Sequence, residues 1–381
     1  MRLVETGYES GKSGRLSGLI FSAYRMARSR IGGIGMTQEL TERNRRILEA
    51  IVEEYIDTAE PVGSRTVTRR HQLALSPATV RNVMADLEEL GYLTQPHTSA
   101  GRIPTGKGYR FYVDSILQVR PLSSGERKRI SNRYHLEGLR AEEVLREAGK
   151  ALSAISNYTG IVMAPRLETT VFRHIDFVPL SEGRVLVVFV TRSGLVQNKI
   201  IQPREPLSSR ELETIANHLN RRLKGLSIQE VKEQLFSEME RDRSRYDQLL
   251  RKTLMLSQEA LKDNIGGEVF IEGTSNILDQ PEFSNVAKMK QLFKTFEQKS
   301  LLIDLLDRSQ KADGMQIFIG SESEFSDIDG CSLITTHYAS RRGTIGALGV
   351  IGPSRMNYSQ VIPVVDYTAK LVSQILDIET E

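Results

Sequence analysis

The chain has 381 residues, of which 39% are hydrophobic and 26% are charged, a composition typical of a soluble globular protein with two or three domains. No apolar run is long enough to cross a bilayer, since the longest covers only residues 185–190. The single cysteine, Cys331, excludes an intramolecular disulfide framework and a cysteine-based zinc finger, and it fits a reducing cytoplasm.

The net charge is only +3, but the charges are unevenly distributed. Residues 1–36 carry six Lys or Arg against two acidic residues, residues 37–60 carry three against seven, and residues 61–112 carry seven against three. An acidic segment followed by a compact basic one predicts a small domain with one face turned toward an anion.

Residues 1–36 are rich in Gly, Ser and Arg, and their short apolar stretch is interrupted, which argues against a signal peptide. We expect a disordered leader, with Met36 as the usual start. A transit peptide and a basic arm that contacts DNA are the two alternatives.

Three helices are predicted next. Residues 40–58 carry an apolar stripe of helical period, and Thr41 can cap that helix. A short second helix over 65–71 is followed by a tight turn. In the third helix Ser76 is the cap and Pro77 the first residue, and Gly91 ends it in the left-handed conformation. This is the helix-turn-helix pattern.

The residues after the third helix predict a β-hairpin. Residues 92–95 and 102–104 read as short strands, and residues 96–101 form a loop between them. A helix-turn-helix followed by a hairpin is a winged helix.

The third helix leaves several small or polar side chains off its apolar stripe. Thr can contact a thymine methyl, Arg can bind guanine with two hydrogen bonds, and Asn can bind adenine in the same way. Basic residues nearby are candidates for phosphate contacts, and Arg110 is one of them. The other residues that we predict to contact DNA are Ser76, Ala78, Thr79, Arg81, Asn82, Arg65, Arg69, Arg70, His97, Arg102 and Lys107. The alternative is the solvated face of a winged helix that binds protein.

Several segments of the chain resemble a known protein family. Residues 41–67 read TERNRRILEAIVEEYIDTAEPVGSRTV, and residues 75–117 read LSPATVRNVMADLEELGYLTQPHTSAGRIPTGKGYRFYVDSIL. Later segments include GMQIFIGSES, GTIGALGVIGPSRMNY and YTAKLVSQIL. These segments resemble the heat-inducible transcription repressor family HrcA, and the resemblance covers nearly everything after Met36.

The resemblance implies an α+β multidomain fold: an N-terminal winged helix-turn-helix, then a GAF-like antiparallel-sheet domain split by an inserted, mostly helical dimerising domain. We expect the leader over 1–36, the winged helix over 37–119, the GAF-like domain over 120–204 and 311–381, and the insertion over 205–310. The resemblance also implies the partners: double-stranded DNA with an inverted-repeat chaperone operator, a second copy of the chain, and the GroE chaperonin as modulator.

The rest of the chain alternates strands and helices. We predict strands over 171–179, 184–191, 195–202, 268–272, 315–320, 332–338 and 344–351, and helices over 141–158, 208–224, 227–262, 286–307 and 361–377. Three strands, a helical block and three more strands suggest one sheet interrupted by an insertion. The helix over 227–262 has an apolar stripe that can serve either as core or as a dimer contact: Leu235, Met239, Tyr246 and Leu249.

No pattern of catalysis is evident. The GRIPTGKG segment at 101–108 resembles a phosphate-binding loop, but Gly108 stands where magnesium binding needs Ser or Thr. The histidines lack zinc-ligand spacing, and no nucleophile elbow is present. We therefore expect a non-enzymatic repressor without metal or cofactor. The alternative is a small-molecule-responsive regulator that uses the GAF-like domain as its sensor.

The glycines at 343, 346, 349 and 352 predict close strand packing or a bulge.

Overall fold

The structure is a computed structural model that describes residues 40–378 apart from internal gaps. The gaps fall at 72–73, 99, 133–140, 166–170, 192–195, 204–205, 224, 227–229, 231–267, 285, 298, 312–313, 323–329 and 341–342. The leader over 1–36 and the predicted stripe of Leu235, Met239, Tyr246 and Leu249 lie outside the described residues. In the part of the chain that is described, no helix is both long enough and apolar enough to cross a membrane.

Three helices open the described chain: α1 (Glu42–Thr58), α2 (Ser64–Arg70) and α3 (Pro77–Glu89). The predicted caps of α1 and α3 are confirmed, because the side chains of Thr41 and Ser76 accept backbone hydrogen bonds from the first turns. Gly91 ends α3 with a φ of 76°, a conformation that glycine adopts without strain. The apolar stripes of α1 and α3 meet in one buried core.

The predicted wing is confirmed as an antiparallel pair of β1 (Leu93–Thr94) and β2 (Ile103–Pro104). A further backbone bridge joins Val62, in the turn between α1 and α2, to Arg102 through two hydrogen bonds of 2.9 Å. The wing is therefore fixed to the helices by backbone hydrogen bonds, and its base cannot swing independently of them.

Two helices and a π-turn follow the wing: α4 (Gly106–Phe111), the turn (Tyr112–Ile116) and α5 (Ser124–Ser131). The connection between the turn and α5 is short, because Ser123 caps α5 and residues 124 and 125 already belong to the helix. Leu117 and Leu122, near the two ends of this connection, are buried, so both ends are anchored in the core while residues 118, 120 and 121 are exposed.

A five-stranded antiparallel sheet forms the centre of the C-terminal region, in the order β7-β3-β10-β9-β8. Its strands are β3 (Thr159–Met163), β7 (Val269–Glu272), β8 (Gln316–Ile319), β9 (Cys331–Ser340) and β10 (Gly343–Pro353). Its helices are α6 (Ala141–Ser156), α8 (Val286–Glu297), α9 (Lys299–Lys311) and α10 (Tyr358–Ile378).

Helices cover both faces of this sheet. On β3, Val162 packs in the core shared with α6 and α10, whereas its neighbour Ile161 packs in the core shared with α8 and α9. Adjacent strand residues point to opposite faces, so a strand buried on both sides is apolar throughout. The expected fold class, a winged helix followed by a GAF-like α+β region, is confirmed.

The expectation that the strands between 171 and 202 share a sheet with the C-terminal strands is wrong. The strands β4 (Phe172–Pro179), β5 (Val185–Thr191) and β6 (Val196–Ile201) form a separate sheet. The helix α7 (Ser209–Leu223) packs on that sheet in a core of its own. The physical reason is pairing: β3 takes its place beside β10, and β7 takes the edge beside β3.

The glycines of β10 have the role that their spacing predicted. The register of β9 and β10 shifts between Thr344 and Gly346, which marks a bulge. At Gly349 a Cβ atom would lie 2.2 Å from the carbonyl oxygen of Ile334 on the neighbouring strand. Only glycine allows this close approach of the two backbones.

Candidate DNA-binding surface

The third helix of the winged helix, α3, presents two distinct faces. Its apolar residues are buried at 4% exposure or less: Val80, Val83, Met84 and Leu87. On the other side, Ala78, Arg81, Asn82 and Ala85 are exposed, and Thr79 is half-buried. The structure thus brings the predicted base-reading side chains together on one exposed surface, with the guanidinium and amide groups in the N-terminal half of the helix.

Hydrogen bonds at the start of α3 hold its first turn. The Ser76 hydroxyl accepts a hydrogen bond from the Thr79 backbone N–H at 3.1 Å, and the two hydroxyl oxygens are 3.0 Å apart. Both hydroxyl groups are therefore engaged with each other, and Thr79 keeps its methyl group for a contact with a thymine methyl.

The wing tip is held by a side chain that sequence reasoning missed. The Gln95 amide nitrogen donates to the carbonyl oxygens of Thr98 and Ala100, each at 2.9 Å. The Ala100 N–H donates to the carbonyl oxygen of His97 at 2.8 Å, and the His97 side chain is exposed at this turn. No periodic pattern singles out Gln95, since its role depends on a local turn.

Two of the predicted phosphate contacts lie where the wing meets α3. Arg102 Nε lies 2.8 Å from a carboxylate oxygen of Glu88, and the Arg102 side chain is 21% exposed. The Lys107 ammonium donates to the Leu90 carbonyl oxygen at 2.8 Å and lies 4.5 Å from the centre of the Tyr92 ring. Both cations therefore also stabilise the wing against the helix.

The basic residues of α2 differ in their surroundings. Arg65 and Arg69 are exposed, and their charge is available at the surface. Arg70 Nη1 lies 2.7 Å from a carboxylate oxygen of Glu54, whose side chain is only 8% exposed. A buried carboxylate needs such a partner, so Arg70 has a structural role beside any contact with DNA.

Arg110 does not lie among the other basic residues. Its side chain is 13% exposed, and Nε donates to both carboxylate oxygens of Glu322 at 2.9 and 3.1 Å. The expectation that Arg110 contacts phosphate is corrected by this geometry, because the guanidinium faces the five-stranded sheet.

Among the described residues, no group of three or more His, Cys, Asp or Glu side chains could hold a metal ion. The chemistry of the surface is that of hydrogen-bond donors and cations on a rigid frame. An exposed helix with Arg81 and Asn82, a wing beside it and basic residues around both define a winged-helix DNA-binding protein.

Comparisons with known proteins lead to the family. The profile described as winged helix-turn-helix transcription repressor, HrcA DNA-binding, matches residues 39–115. The profile described as HrcA protein C terminal domain matches residues 142–362. The chain belongs to the HrcA family of transcription repressors, and the resemblance seen in the sequence is confirmed.

Individual relatives agree with this assignment. The chain is 54% identical to the heat-inducible transcription repressor HrcA of Geobacter sulfurreducens, over 89% of this chain and 99% of that one. It is 40% identical to the protein of the same name from Syntrophobacter fumaroxidans, over 89% and 98% of the two chains. A crystal structure of a protein described as hypothetical is 25% identical, with a TM-score of 0.57, and covers 90% of this chain and 100% of its own.

Proposed function

We propose that the chain represses chaperone operons in response to heat, by binding as a homodimer to an inverted-repeat operator in the cytoplasm. The observation that carries the proposal is the exposed face of α3, where Arg81 and Asn82 stand beside a fixed wing. Side chains of this kind on such a helix read base edges in the major groove. The name shared by the relatives supports heat induction.

Membership in a family of DNA-binding transcription repressors argues against an enzyme. The same membership favours the repressor over a small-molecule-responsive regulator.

The homodimer is required by the symmetry of the proposed operator. An inverted repeat has two half-sites related by a two-fold axis, and each takes one recognition helix. We place the dimer contact in the unit inserted between β3 and β7, over about residues 165–268 instead of 205–310. Sheet membership supports these limits, since β3 and β7 are paired, whereas β4, β5, β6 and α7 between them form a core of their own.

The three-stranded sheet of the insertion supports a contact with a second copy. One face packs on α7, and the opposite face carries large apolar side chains: Val178 at 40% exposure, Val196 at 50% and Ile200 at 56%. The predicted stripe with Leu235, Met239, Tyr246 and Leu249 belongs to the same inserted unit. Contiguous apolar surface of this kind is typical of protein interfaces.

We further propose that the GroE chaperonin modulates the repressor, a partner for which the support is family membership alone. The test combines operator footprinting with purified GroE. We expect protection of both half-sites by the full chain, and stronger protection after chaperonin treatment. Protection of one half-site would contradict the dimer, and protection that GroE leaves unchanged would contradict the modulation.

A further inference from the structure

The winged helix is joined to the five-stranded sheet by a nearly buried arginine. Arg355 lies in the turn after β10, and its side chain is 11% exposed. Its Nη1 donates to the carbonyl oxygen of Ile56 in α1 at 3.1 Å. The remaining donors contact the side chains of Gln280, at 3.0 Å, and Glu282. One guanidinium therefore links three segments that are far apart in the sequence.

The contact with Ile56 is electrostatically favourable. The carbonyl groups in the last turn of a helix lack partners within the helix, and the helix dipole makes that end negative. The last turn of α1 contains no basic residue of its own. The Ala59 N–H already caps the Tyr55 carbonyl oxygen, and Arg355 adds a cation and a donor for the Ile56 carbonyl oxygen from the domain that contains the five-stranded sheet.

A second arginine joins the winged helix to the region of the five-stranded sheet, and this one belongs to the winged helix. Arg110 belongs to α4 of the winged helix, and it forms a forked pair with Glu322, just after β8. Its Nη2 also donates to the carbonyl oxygen of Ile317 in β8 at 2.5 Å. The Glu322 carboxylate is itself held by the backbone N–H of Ile319 at 3.2 Å. Forked pairs of this kind fix orientation as well as distance.

Apolar contacts support the two arginines. The Tyr109 ring of α4 packs against the Tyr358 ring of α10, with 6.4 Å between their centres. The core of the winged helix and the core between the sheet and α10 form one continuous buried cluster. The two parts of the chain are therefore packed together, instead of being tethered by residues 117–123 alone.

We propose that Arg355 and Arg110 are positioning residues that fix the orientation of the recognition helix relative to the sheet domain, and so determine the half-site spacing that the repressor accepts. The proposal rests on the proposed function, because spacing matters only for a dimer on an inverted repeat. Each base pair inserted between half-sites rotates one of them by about 35° and moves it by about 3.4 Å. Two winged-helix domains that are held rigidly in the dimer cannot follow such a change, whereas loosely held domains can.

The test is the affinity of the full chain for duplexes in which the half-sites are moved together or apart by one and two base pairs. For the wild-type chain we expect a loss of at least about tenfold when the spacing changes by two base pairs. For the Arg110→Gln/Arg355→Gln variant we expect a loss of less than about threefold over the same series. Glu322→Gln removes the negative charge that pairs with Arg110, so it weakens one of the two contacts and should give an intermediate result.

Arg46→Gln is the matched control, because this arginine lies on α1 with its side chain 67% exposed and, among the described residues, pairs with Glu42 of the same helix. It should retain the spacing preference of the wild type. A folded double variant with the spacing preference of the wild type overturns the proposal. A double variant that binds the natural spacing more tightly than the wild type also overturns it. The contacts of Arg110 and Arg355 would then hold the winged helix in an orientation that does not bind DNA.

A measurement without DNA separates this proposal from the proposed function. Spin labels at Arg43→Cys on α1 and Gln374→Cys on α10 report the distance between the two parts, and both positions are exposed while Cys331 is buried. Labelled chains diluted with unlabelled chains give intrachain distances only. We expect a narrow distribution in the wild type and in Arg46→Gln, and a broad one in the double variant. If the wild type binds no duplex, the proposed function fails. If the distance distribution of the double variant is as narrow as that of the wild type, the proposal that Arg110 and Arg355 fix the orientation is overturned.

Discussion

Individual side chains of α3 divide into those that build the core and those that face outward, and the exposed amide and guanidinium groups are the ones able to distinguish bases. The structure places Arg81 and Asn82 on the exposed face of α3, next to a helix start that Ser76 and Thr79 hold in place. Because their hydrogen-bonding groups are not required by the fold, substitutions there test recognition without disturbing packing.

Replacing Arg81 or Asn82 by alanine is expected to lower discrimination more than general affinity. A good bidentate contact contributes about 1–3 kcal/mol of discrimination between bases. Affinities for operator and scrambled duplexes should therefore converge in both variants. Arg69→Ala is the control, since the loss of a phosphate contact weakens both duplexes to the same extent. Equal losses on both duplexes in Arg81→Ala would reassign that residue to the phosphate backbone.

Two tyrosines at the domain contact give a second residue-scale prediction. The Tyr109 hydroxyl is buried and forms no hydrogen bond with any described residue, whereas the Tyr358 hydroxyl donates to the Ser354 carbonyl oxygen at 2.7 Å and lies 2.9 Å from the Ser332 hydroxyl. Burial raises the pKa of both hydroxyls, so both stay protonated.

Tyr109→Phe should leave the free energy of unfolding unchanged or raise it by up to about 1 kcal/mol, because it removes a buried polar group without a partner. Tyr358→Phe should lower it by about 1–2 kcal/mol, because it removes two hydrogen bonds. Urea titrations of both variants make the comparison. A larger loss in Tyr109→Phe than in Tyr358→Phe would show that the Tyr109 hydroxyl has a partner after all.

At the scale of elements, local signals account for what the sequence predicted well. The helices of the winged helix carry caps, apolar stripes and end signals within a few residues, and Thr41, Ser76 and Gly91 have the predicted roles. The sheet could not be predicted in the same way, because β3 is buried on both faces and shows no alternation. Strand order depends on pairing across more than a hundred residues, as between β3 and β7.

The site shows the same division. The exposed face of α3 follows from helical period alone, so its residues could be predicted. The roles of Gln95 and Arg110 depend on partners in a local turn and in another domain, at Glu322, and no spacing in the sequence reports those contacts. For the same reason the separate sheet of the insertion was predicted as strands but assigned to the wrong sheet.

The start of α5 gives a prediction about pH. Hydrogen bonds from the hydroxyl and backbone N–H of Ser123, with a contribution from Arg120, lower the pKa of the Glu126 carboxyl to about 2. A pKa below its ordinary value means that the ionised form stabilises the folded state. That stabilisation is complete above the ordinary carboxyl pKa and is lost as the pH falls toward about 2.

The difference in free energy of unfolding between the wild type and Glu126→Gln should therefore be constant from pH 7 to about 5 and should shrink below that. Glutamine retains the capping geometry, so the variant isolates the charge. Ser123→Ala should cost about 1 kcal/mol at neutral pH and reduce this pH dependence without removing it, because the backbone N–H of residue 123 and Arg120 remain. A difference that stays constant down to pH 3.5 would contradict the assignment of the shift to this cap.

The whole molecule combines a DNA-binding head, a sheet domain packed against it and an inserted unit with its own core. In the proposed dimer the insertion joins two chains. The contacts of Arg110 and Arg355 then fix the orientation of each winged helix relative to the five-stranded sheet of its own chain. Linking two reading heads makes the second half-site contact intramolecular, which typically increases affinity by about 10²–10⁴.

Leu235→Glu and Leu249→Glu are expected to shift the monomer–dimer equilibrium toward the monomer, since a charge at an apolar interface opposes its burial. Sedimentation measures the shift, and circular dichroism should remain helical. Glu240→Gln, which lies outside the apolar stripe of the same segment, is the control and should remain a dimer. Unfolding of both leucine variants would instead make the stripe part of an internal core.

The central claim is that the exposed face of α3 reads an operator, and one binding measurement tests it most directly. The affinity of the full chain is compared on the inverted-repeat duplex and on a scrambled duplex of the same length and composition, at physiological salt. Specific recognition predicts a preference of about a thousandfold or more for the operator. Equal affinity for the two duplexes, falling in parallel as salt is raised, would show that only the phosphate backbone is bound and would contradict the account.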